Sequence, residues 1–292
     1  MTESALAPGR LAAAPAGLPP EAIVIAQVRT ENFRVASRVL PRRVRGHLLA
    51  VYGFARLVDD VGDEAPGDRL GLLEWLDAEV DRVYAGAPSL PVTARLAATV
   101  RACEIGPEPL RALIAADRQD QRITRYETIE DLLAYCELSA NPVGRLVLAV
   151  FGAATPERVH LSDAICTGLQ LTEHWQDVVE DFDRGRVYVP LADLARFGCR
   201  VDDLRHRPAT AQVRALLAFE VGRARKLLAA GPPLVRTLRG RPALAVAGFV
   251  AGGRAALHAI ERAGYDVSGG APRASRAMYA RALAATLAGR GG

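Results

Sequence analysis

The sequence is poor in lysine and in aromatic residues. Its 37 basic residues include one lysine, Lys226, and no glycine precedes it, so the Gly-Lys-Ser/Thr of a phosphate-binding P-loop is absent. No GxGxxG follows a β-rich run, which leaves a dinucleotide-binding domain without support. Aromatic residues make up 5% of the chain and are not interleaved with the arginines. These features argue against P-loop nucleotide hydrolysis and against a nucleic-acid partner.

Cysteines and long apolar runs are also scarce. The four cysteines stand about thirty residues apart and form no CxxC pair, which argues against a zinc ribbon or a redox motif. Glu3 and several early prolines are unlike a secretory signal peptide. The longest apolar runs, near residues 146–155 and 242–250, are shorter than the roughly 20 residues of a membrane span. We therefore expect a cytoplasmic protein with reduced thiols.

The remaining composition is that of an ordinary globular protein. The 292 residues are 50% hydrophobic and 24% charged, with a net charge of +4 carried almost wholly by arginine. Residues 1–20, rich in alanine, proline and glycine, are predicted to be a disordered leader. From residue 21 to residue 292 the apolar positions follow the helical period and no stretch alternates as a strand. The pattern predicts one all-α domain of eight to ten helices.

A first acidic face lies on the helix predicted over residues 42–64. Tyr52, Arg56, Asp59 and Asp63 stand at offsets of 0, 4, 7 and 11. At about 100° per residue, these offsets span an arc of about 60° on one face. Like charges one turn apart repel each other, and a bound divalent cation would reverse that repulsion.

A second acidic face repeats this arrangement on the helix predicted over residues 156–182. Gln170, Glu173, Asp177 and Asp181 stand at offsets of 0, 3, 7 and 11, within an arc of about 80°. This helix is apolar around much of its girth and is predicted to be buried, where unpaired carboxylates are strongly disfavoured.

The side chains available as ligands indicate which ion and which substrate would bind. They are all oxygen donors, with no converging histidine or cysteine, and this favours Mg²⁺. Guanidinium groups bind phosphate oxygens bidentately, so acids, Mg²⁺ and arginines together suit a diphosphate. The candidate arginines are Arg29, Arg34, Arg38, Arg56, Arg184 and Arg186.

Four segments resemble the squalene/phytoene synthase family in order and spacing. They are Glu31-Asn32-Phe33, YGFARLVDDVGDE over residues 52–64, YCELSANPVGRLVLAVFG over residues 135–152 and LQLTEHWQDVVEDFDRGRVYVP over residues 169–190. The resemblance covers nearly the whole chain after residue 20. Within the family, SANPVGRLVL and GRVYVP are most similar to the bacterial hydroxysqualene synthases of the hopanoid pathway.

The resemblance implies an isoprenoid-synthase-type helical bundle with a central apolar cavity and the two DxxxD motifs facing each other across its mouth. It implies that two or three Mg²⁺ ions, and no nicotinamide, are used. The ligands implied for Mg²⁺ are Asp59, Asp63, Glu173, Asp177 and Asp181. The residues implied to contact the substrate are Asn32, Phe33, Tyr52, Arg56, Gln170, Gly144, Arg186 and Tyr188, with Tyr135 at the reacting end.

The reaction that the resemblance implies is conversion of presqualene diphosphate and water to hydroxysqualene and diphosphate. Two departures bear on it. Glu173 stands where the family usually has a metal-binding asparagine, so we expect altered metal spacing or number. Ala271-Pro272-Arg273 stands where Arg-Pro-Arg is expected, which leaves Arg273 as the candidate C-terminal diphosphate contact.

Several alternatives remain open at this stage. The same scaffold could condense two farnesyl diphosphates to presqualene diphosphate or squalene, or could be a non-catalytic assembly protein, although both acidic pairs are complete. The side chains that could line a tunnel, or could be ordinary core, are Leu146, Val147, Leu148, Val150, Phe151, Leu169, Phe249 and Leu257. Pro142 and Gly144 could mark a kinked helix near substrate or a simple turn. The basic surface makes peripheral contact with an anionic membrane plausible. The enzymes upstream and downstream in the pathway are further possible partners.

Overall fold

The computed structural model describes residues 15, 17–19 and 40–290 of the chain. The predicted leader and its boundary at residue 20 therefore fall largely outside the described residues. So do two of the expected substrate contacts, Asn32 and Phe33, and the three early arginines of the sequence analysis.

Thirteen α-helices and one 3₁₀-helix make up the described part of the chain. They are α1 (Arg42–Asp63), α2 (Arg69–Ala85), α3 (Pro91–Ala102), α4 (Glu108–Asp120), α5 (Ile129–Ser139), α6 (Asn141–Val150), α7 (Pro156–Gln176), α8 (Val178–Asp183), α9 (Leu191–Arg196), the 3₁₀-helix (Val201–Arg205), α10 (Ala211–Leu228), α11 (Gly231–Thr237), α12 (Gly240–Arg262) and α13 (Arg276–Leu287). No β-strand forms over residues 40–290, where Arg125 and Val187 make one isolated bridge. The all-α prediction is confirmed, and the larger helix number reflects short helices such as α8, α9 and α11.

The helices enclose two hydrophobic cores. One lies among α1 to α4 and includes Phe54 and Leu76, and the other lies among α5, α7, α10 and α12 and includes Trp175. Helix α6 separates them, because Leu146 packs in the first core and Leu148 in the second. The cavity described below opens beside this helix.

The eight candidate tunnel residues divide into two groups in the structure. Half of them are fully packed within the two cores: Leu146, Leu148, Val150 and Leu257. The others are half-buried at the edges of the cores: Val147, Phe151, Leu169 and Phe249. The first group therefore serves as core in this arrangement.

Helix α12 is the one helix of the described chain that is long and apolar enough to cross a membrane by length and composition. Its most apolar window is 56% buried inside the protein, and Val250 and Ile260 on it are fully buried. The helix packs against α7, α10, α11 and α13. A core helix of a globular protein passes the same test, so this helix is weak support for a membrane span.

The second acidic segment forms two helices rather than the single predicted helix. The break falls at Asp177, whose φ of −105° and ψ of 16° depart from helical values. Hydrogen bonding continues across it, since the Asp177 N–H donates to the Glu173 carbonyl at 3.0 Å and the Asp181 N–H donates to the Asp177 carbonyl at 2.8 Å. Glu173, Asp177 and Asp181 therefore stay on one side of the chain.

Candidate active site

A cavity of about 360 Å³ lies between the helices of the two cores. Seven carboxylates line it, two each from α1 and α4 and three from the α7–α8 segment: Asp59, Asp63, Asp117, Asp120, Glu173, Asp177 and Asp181. Arg184 and Arg186 also line it and are the guanidinium groups among its lining residues. The acidic side chains thus outnumber the basic ones at this place in a chain whose net charge is positive.

The α4 carboxylates lie deep in the cavity. The Tyr135 hydroxyl donates a hydrogen bond to Asp120 Oδ2 at 2.6 Å. Burial raises the pKa of Asp120 to about 6, although the Tyr135 bond and Arg186 oppose the shift. Burial, followed by the charges of Asp59, Asp120 and Asp63, raises the pKa of Asp117 to about 9. Both shifts show that negative charge is poorly compensated here.

Asp181, on the opposite wall, is in a similar situation. Burial and then the neighbouring Asp177 raise the pKa of Asp181 to about 7. His174 Nδ1 lies 4.0 Å from Asp181 Oδ2, but burial and then the charge of Arg186 lower the pKa of His174 to about 3. The imidazole is therefore neutral at physiological pH and does not offset the carboxylate charge.

Arg186 joins the two walls. Its Nη2 lies 2.7 Å from Asp63 Oδ1 at the end of α1, while its own N–H donates to the Asp181 carbonyl at 2.8 Å. Burial by itself lowers the pKa of Arg186, but Tyr188, Asp63 and Asp120 raise the pKa further than burial lowers it. A permanently charged guanidinium is thus held between the first and second acidic motifs.

Aromatic rings form one side of the cavity. The rings of Tyr126, Tyr135 and Tyr188 lie 5.5 to 6.0 Å apart between centroids. The His174 ring stacks on Tyr188 at 3.7 Å with 14° between the planes. Burial is the main reason why the pKa of each of these tyrosines is raised. The layer therefore presents neutral rings and phenols beside the carboxylates.

The donor set fits a hard divalent cation. Carboxylate oxygens are the ligands that Mg²⁺ prefers, and Asp120 Oδ1 is a buried oxygen with no hydrogen-bond partner in the structure. Across the described residues, no group of three or more acidic, histidine or cysteine side chains is arranged so that it could hold a metal ion by itself. Mg²⁺ commonly keeps several waters and binds one or two carboxylates together with substrate phosphates, which suits so open an arrangement.

Comparison with known proteins identifies the family. Residues 27–279 match squalene/phytoene synthase, which is most of the chain. The chain belongs to the squalene/phytoene synthase family. It is therefore an enzyme of the family that acts on prenyl diphosphates, and a diphosphate group accounts for a cavity that combines carboxylates with arginines.

Two relatives show the range of activities in this family. The hydroxysqualene synthase of Rhodopseudomonas palustris is 34% identical over 212 residues, covering 72% of this chain and 72% of that protein. The phytoene synthase of Thermus thermophilus is 33% identical over 263 residues, covering 89% of this chain and 88% of that protein. Sequence identity alone thus does not separate the two reactions.

Two solved structures have folds similar to that of this chain. The squalene synthase HpnC of Alicyclobacillus acidocaldarius is 44% identical, with a TM-score of 0.79 over 86% of this chain and 97% of that chain. A dehydrosqualene synthase has a TM-score of 0.82 at 23% identity, over 92% of this chain and 95% of that chain. The second likeness concerns the fold alone.

The structure brings together most of the candidate residues that it describes. Ten of them line the cavity: Asp59, Asp63, Tyr135, Gln170, Glu173, Asp177, Asp181, Arg184, Arg186 and Tyr188. Their roles toward metal and substrate stay predictions. Arg273 is not among the lining residues.

Tyr52, Arg56 and Gly144 do not line this cavity. Arg56 Nε lies 2.7 Å from Oδ1 of Asp60, one turn further along α1, and Asp60 is almost fully buried. A Cβ on Gly144 would lie 2.4 Å from Ser162 Oγ, so the glycine allows α6 and α7 to approach closely. Packing between the two helices requires a glycine here, and the predicted contact of Gly144 with substrate stays a prediction.

Sequence reasoning did not include Asp117, Asp120 or His174 among the site residues. A signal for the two aspartates was present: they continue the apolar stripe of α4 that contains Leu110, Leu113 and Ile114. Carboxylates at core-facing positions of an amphipathic helix indicate a polar cavity beside that helix. No comparable pattern marked His174, because its neighbours in the chain do not show what its ring stacks on.

Proposed function

We propose that this enzyme is a hydroxysqualene synthase, which converts presqualene diphosphate and water to hydroxysqualene and diphosphate. The observation that carries the proposal is the pair of opposed carboxylate walls joined by Arg186, in a chain similar to hydroxysqualene synthases. A diphosphate leaving group needs cations on both sides, and this cavity offers sites for them.

In this proposal, Asp59 and Asp63 on one wall and Glu173, Asp177 and Asp181 on the other hold Mg²⁺. When bound, the metal would neutralise the charge that develops on the departing diphosphate. Arg186 is already placed between the walls and supplies a further fixed positive charge there. Its ion pair with Asp63 would loosen in favour of phosphate oxygens, which guanidinium binds bidentately.

The tyrosine layer is suited to the hydrocarbon cation that remains after diphosphate leaves. Aromatic ring faces attract positive charge, and Tyr135 and Tyr188 both line the cavity. The Tyr135 hydroxyl donates a hydrogen bond to the Asp120 carboxylate, and this bond fixes the orientation of the ring. Polar groups around the same space would hold the water that captures the cation.

In the decisive experiment, the purified protein is incubated with presqualene diphosphate or with farnesyl diphosphate. Each incubation contains Mg²⁺ and no nicotinamide cofactor. We expect hydroxysqualene and diphosphate from presqualene diphosphate, and no turnover when EDTA replaces Mg²⁺. Accumulation of presqualene diphosphate from farnesyl diphosphate, with no hydroxysqualene from either substrate, would contradict the assignment. Turnover of neither substrate would favour the non-catalytic assembly protein.

The second candidate is head-to-head condensation of two prenyl diphosphates. It is favoured by the phytoene synthase relatives, one of which covers 89% of this chain. The two candidates differ in whether the cavity receives one substrate diphosphate or two. Binding stoichiometry of a non-hydrolysable farnesyl diphosphate analogue, measured by calorimetry, would separate them: two per chain supports condensation.

The same proposal includes the location and partners of the enzyme. We place it in the cytoplasm, with peripheral contact between its arginine-rich surface and the inner face of the cell membrane, because its C30 substrate and product are strongly apolar. The enzymes that supply presqualene diphosphate and consume hydroxysqualene are its expected pathway partners. Co-sedimentation with anionic and with neutral vesicles tests the membrane contact.

A further inference from the structure

Asp117 is the most enclosed of the carboxylates that line the cavity. Its side chain is 9% exposed. Within the described part of the chain, no hydrogen-bond donor and no cation pairs with its carboxylate, whereas Asp120, one turn further along α4, accepts the Tyr135 hydroxyl. A buried carboxylate without partners is strongly disfavoured, so a purely structural role does not explain this residue.

Gly62 leaves room for the Asp117 carboxylate beside α1. A Cβ on Gly62 would lie 2.0 Å from Asp117 Oδ1 and 2.9 Å from Asp117 Cγ. Gly62 lies within α1, where glycine is unfavourable and no unusual backbone angle requires it. The missing side chain therefore lets the Asp117 carboxylate lie directly against the α1 backbone, beside Asp63.

Gln121 fixes the two helices in this arrangement. Its Nε2 donates to the Gly62 carbonyl at 3.0 Å and to the Asp117 carbonyl at 3.1 Å. The end of α1 is thus tied to the end of α4 at the level of the acidic motif. The backbone of Asp117 is thereby held beside the end of α1.

We propose that Asp117 is a further cation-binding carboxylate of the first acidic wall, and that Gly62 is the positioning residue that admits it. The inference rests on the proposed metal-dependent function and adds a ligand that the DxxxD spacing does not contain. Arg186, the cation whose charge acts on Asp117, is already paired with Asp63. A divalent ion held by Asp59 and Asp63 would neutralise Asp117 as well.

Binding of Mn²⁺ tests the proposal without any substrate turnover. Free Mn²⁺ is measured by electron paramagnetic resonance in titrations of the full chain, with and without inorganic pyrophosphate. We expect Asp117→Asn to weaken Mn²⁺ binding about tenfold or more, or to remove one bound ion per chain. Asp202→Asn, which removes one exposed carboxylate outside the cavity, should stay within about twofold of the wild type.

A second pair of measurements separates binding from folding. Asp117→Asn should leave the melting temperature of the metal-free protein unchanged or higher, because it removes an acid whose ionisation is opposed by burial and by neighbouring carboxylates. Gly62→Ala should weaken Mn²⁺ binding by displacing Asp117 without removing a charge. In the Asp117→Asn background, Gly62→Ala should cause little further loss, since both changes act on one interaction.

The outcomes distinguish this inference from the proposed function. Equal Mn²⁺ binding by the wild type and Asp117→Asn overturns the inference and leaves the function intact. Weakened binding in Asp117→Asn, with no turnover of prenyl diphosphate by the wild type, supports the inference and overturns the function. A wild type that binds no Mn²⁺, even with pyrophosphate, overturns both.

Discussion

The two acidic walls share a DxxxD spacing but differ in what lies behind it. Behind Asp59 and Asp63, helix α4 contributes two more carboxylates, one of which accepts a hydrogen bond from the Tyr135 hydroxyl. Behind Asp177 and Asp181, a neutral histidine stacked on Tyr188 takes that place. The same motif is thus set in a strongly anionic environment on one side and in a largely neutral one on the other.

The walls also differ in their backbone. Asp63 is the last residue of a continuous helix. Asp177 interrupts its helix, so that α7 ends at Gln176 and α8 begins at Val178. The first wall thus stands on one unbroken helix, and the second on a junction of two helices across which backbone hydrogen bonding continues. The following predictions test this contrast in order of decreasing effect.

The largest effect is expected when one aspartate is removed from each wall. Asp59→Ala and Asp177→Ala should each slow diphosphate release about 100-fold or more, because each would remove a proposed ligand of the Mg²⁺ that neutralises the leaving diphosphate. Helix content by circular dichroism should remain that of the wild type. Turnover within a few fold of the wild type in either variant would remove that wall from the proposed metal site.

The second-largest effect on catalysis is expected at Arg186, which links the two walls. Arg186→Gln should lower kcat/KM for the prenyl diphosphate about tenfold or more, because a fixed charge beside the leaving group is lost. The matched control is Arg207→Gln, an exposed arginine that pairs with Asp183 at 3.5 Å outside the cavity. Similar kinetics in the two variants would show that the bridging position has no special role.

A smaller effect is expected at Glu173, which sits on the second wall. Glu173→Asn removes one charge and one methylene, and should change the Mg²⁺ concentration for half-maximal activity several-fold because metal affinity depends on ligand charge. Glu74→Asn makes the same change at an exposed position of α2 outside the cavity and serves as the control. An unchanged Mg²⁺ dependence in Glu173→Asn would mean that this position is not a ligand.

The smallest effect is a shift in stability with pH. The pKa of Asp181 is raised to about 7 and that of Asp117 to about 9, and burial also raises the pKa of Glu220, in the second core, to about 7. Acids with a raised pKa keep their protons longer in the folded state than in the unfolded state, so stability falls as pH rises through these values. His174, whose folded pKa is about 3, has the opposite effect only below the ordinary histidine value of about 6.5.

We therefore expect the melting temperature of the metal-free protein to fall by a few degrees between about pH 6.5 and pH 9. Added Mg²⁺ should restore most of the loss, since an ion bound to the folded state stabilises it and offsets the repulsion. Thermal unfolding followed by circular dichroism, with EDTA or with Mg²⁺, measures both. A melting temperature that rises over this interval in EDTA would contradict the pKa shifts of the cavity acids.

Sequence periodicity alone determined the helical class of this protein and the grouping of Asp59 with Asp63 and of Asp177 with Asp181. Both follow from spacing within one helix, where 3.6 residues per turn place side chains four apart on the same face. The segments that resemble squalene/phytoene synthases also indicated the family without a structure, because each is a contiguous run of residues that can be read directly from the sequence.

Only the tertiary structure decided which groups surround those faces. Asp117 reaches the cavity because Gly62, far away in the chain, leaves room for it. Arg56 turns to the buried Asp60, and Gly144 serves the contact between α6 and α7. The partner of a buried side chain is set by helices that are distant in sequence, and helical periodicity carries no information about which distant helix will pack there.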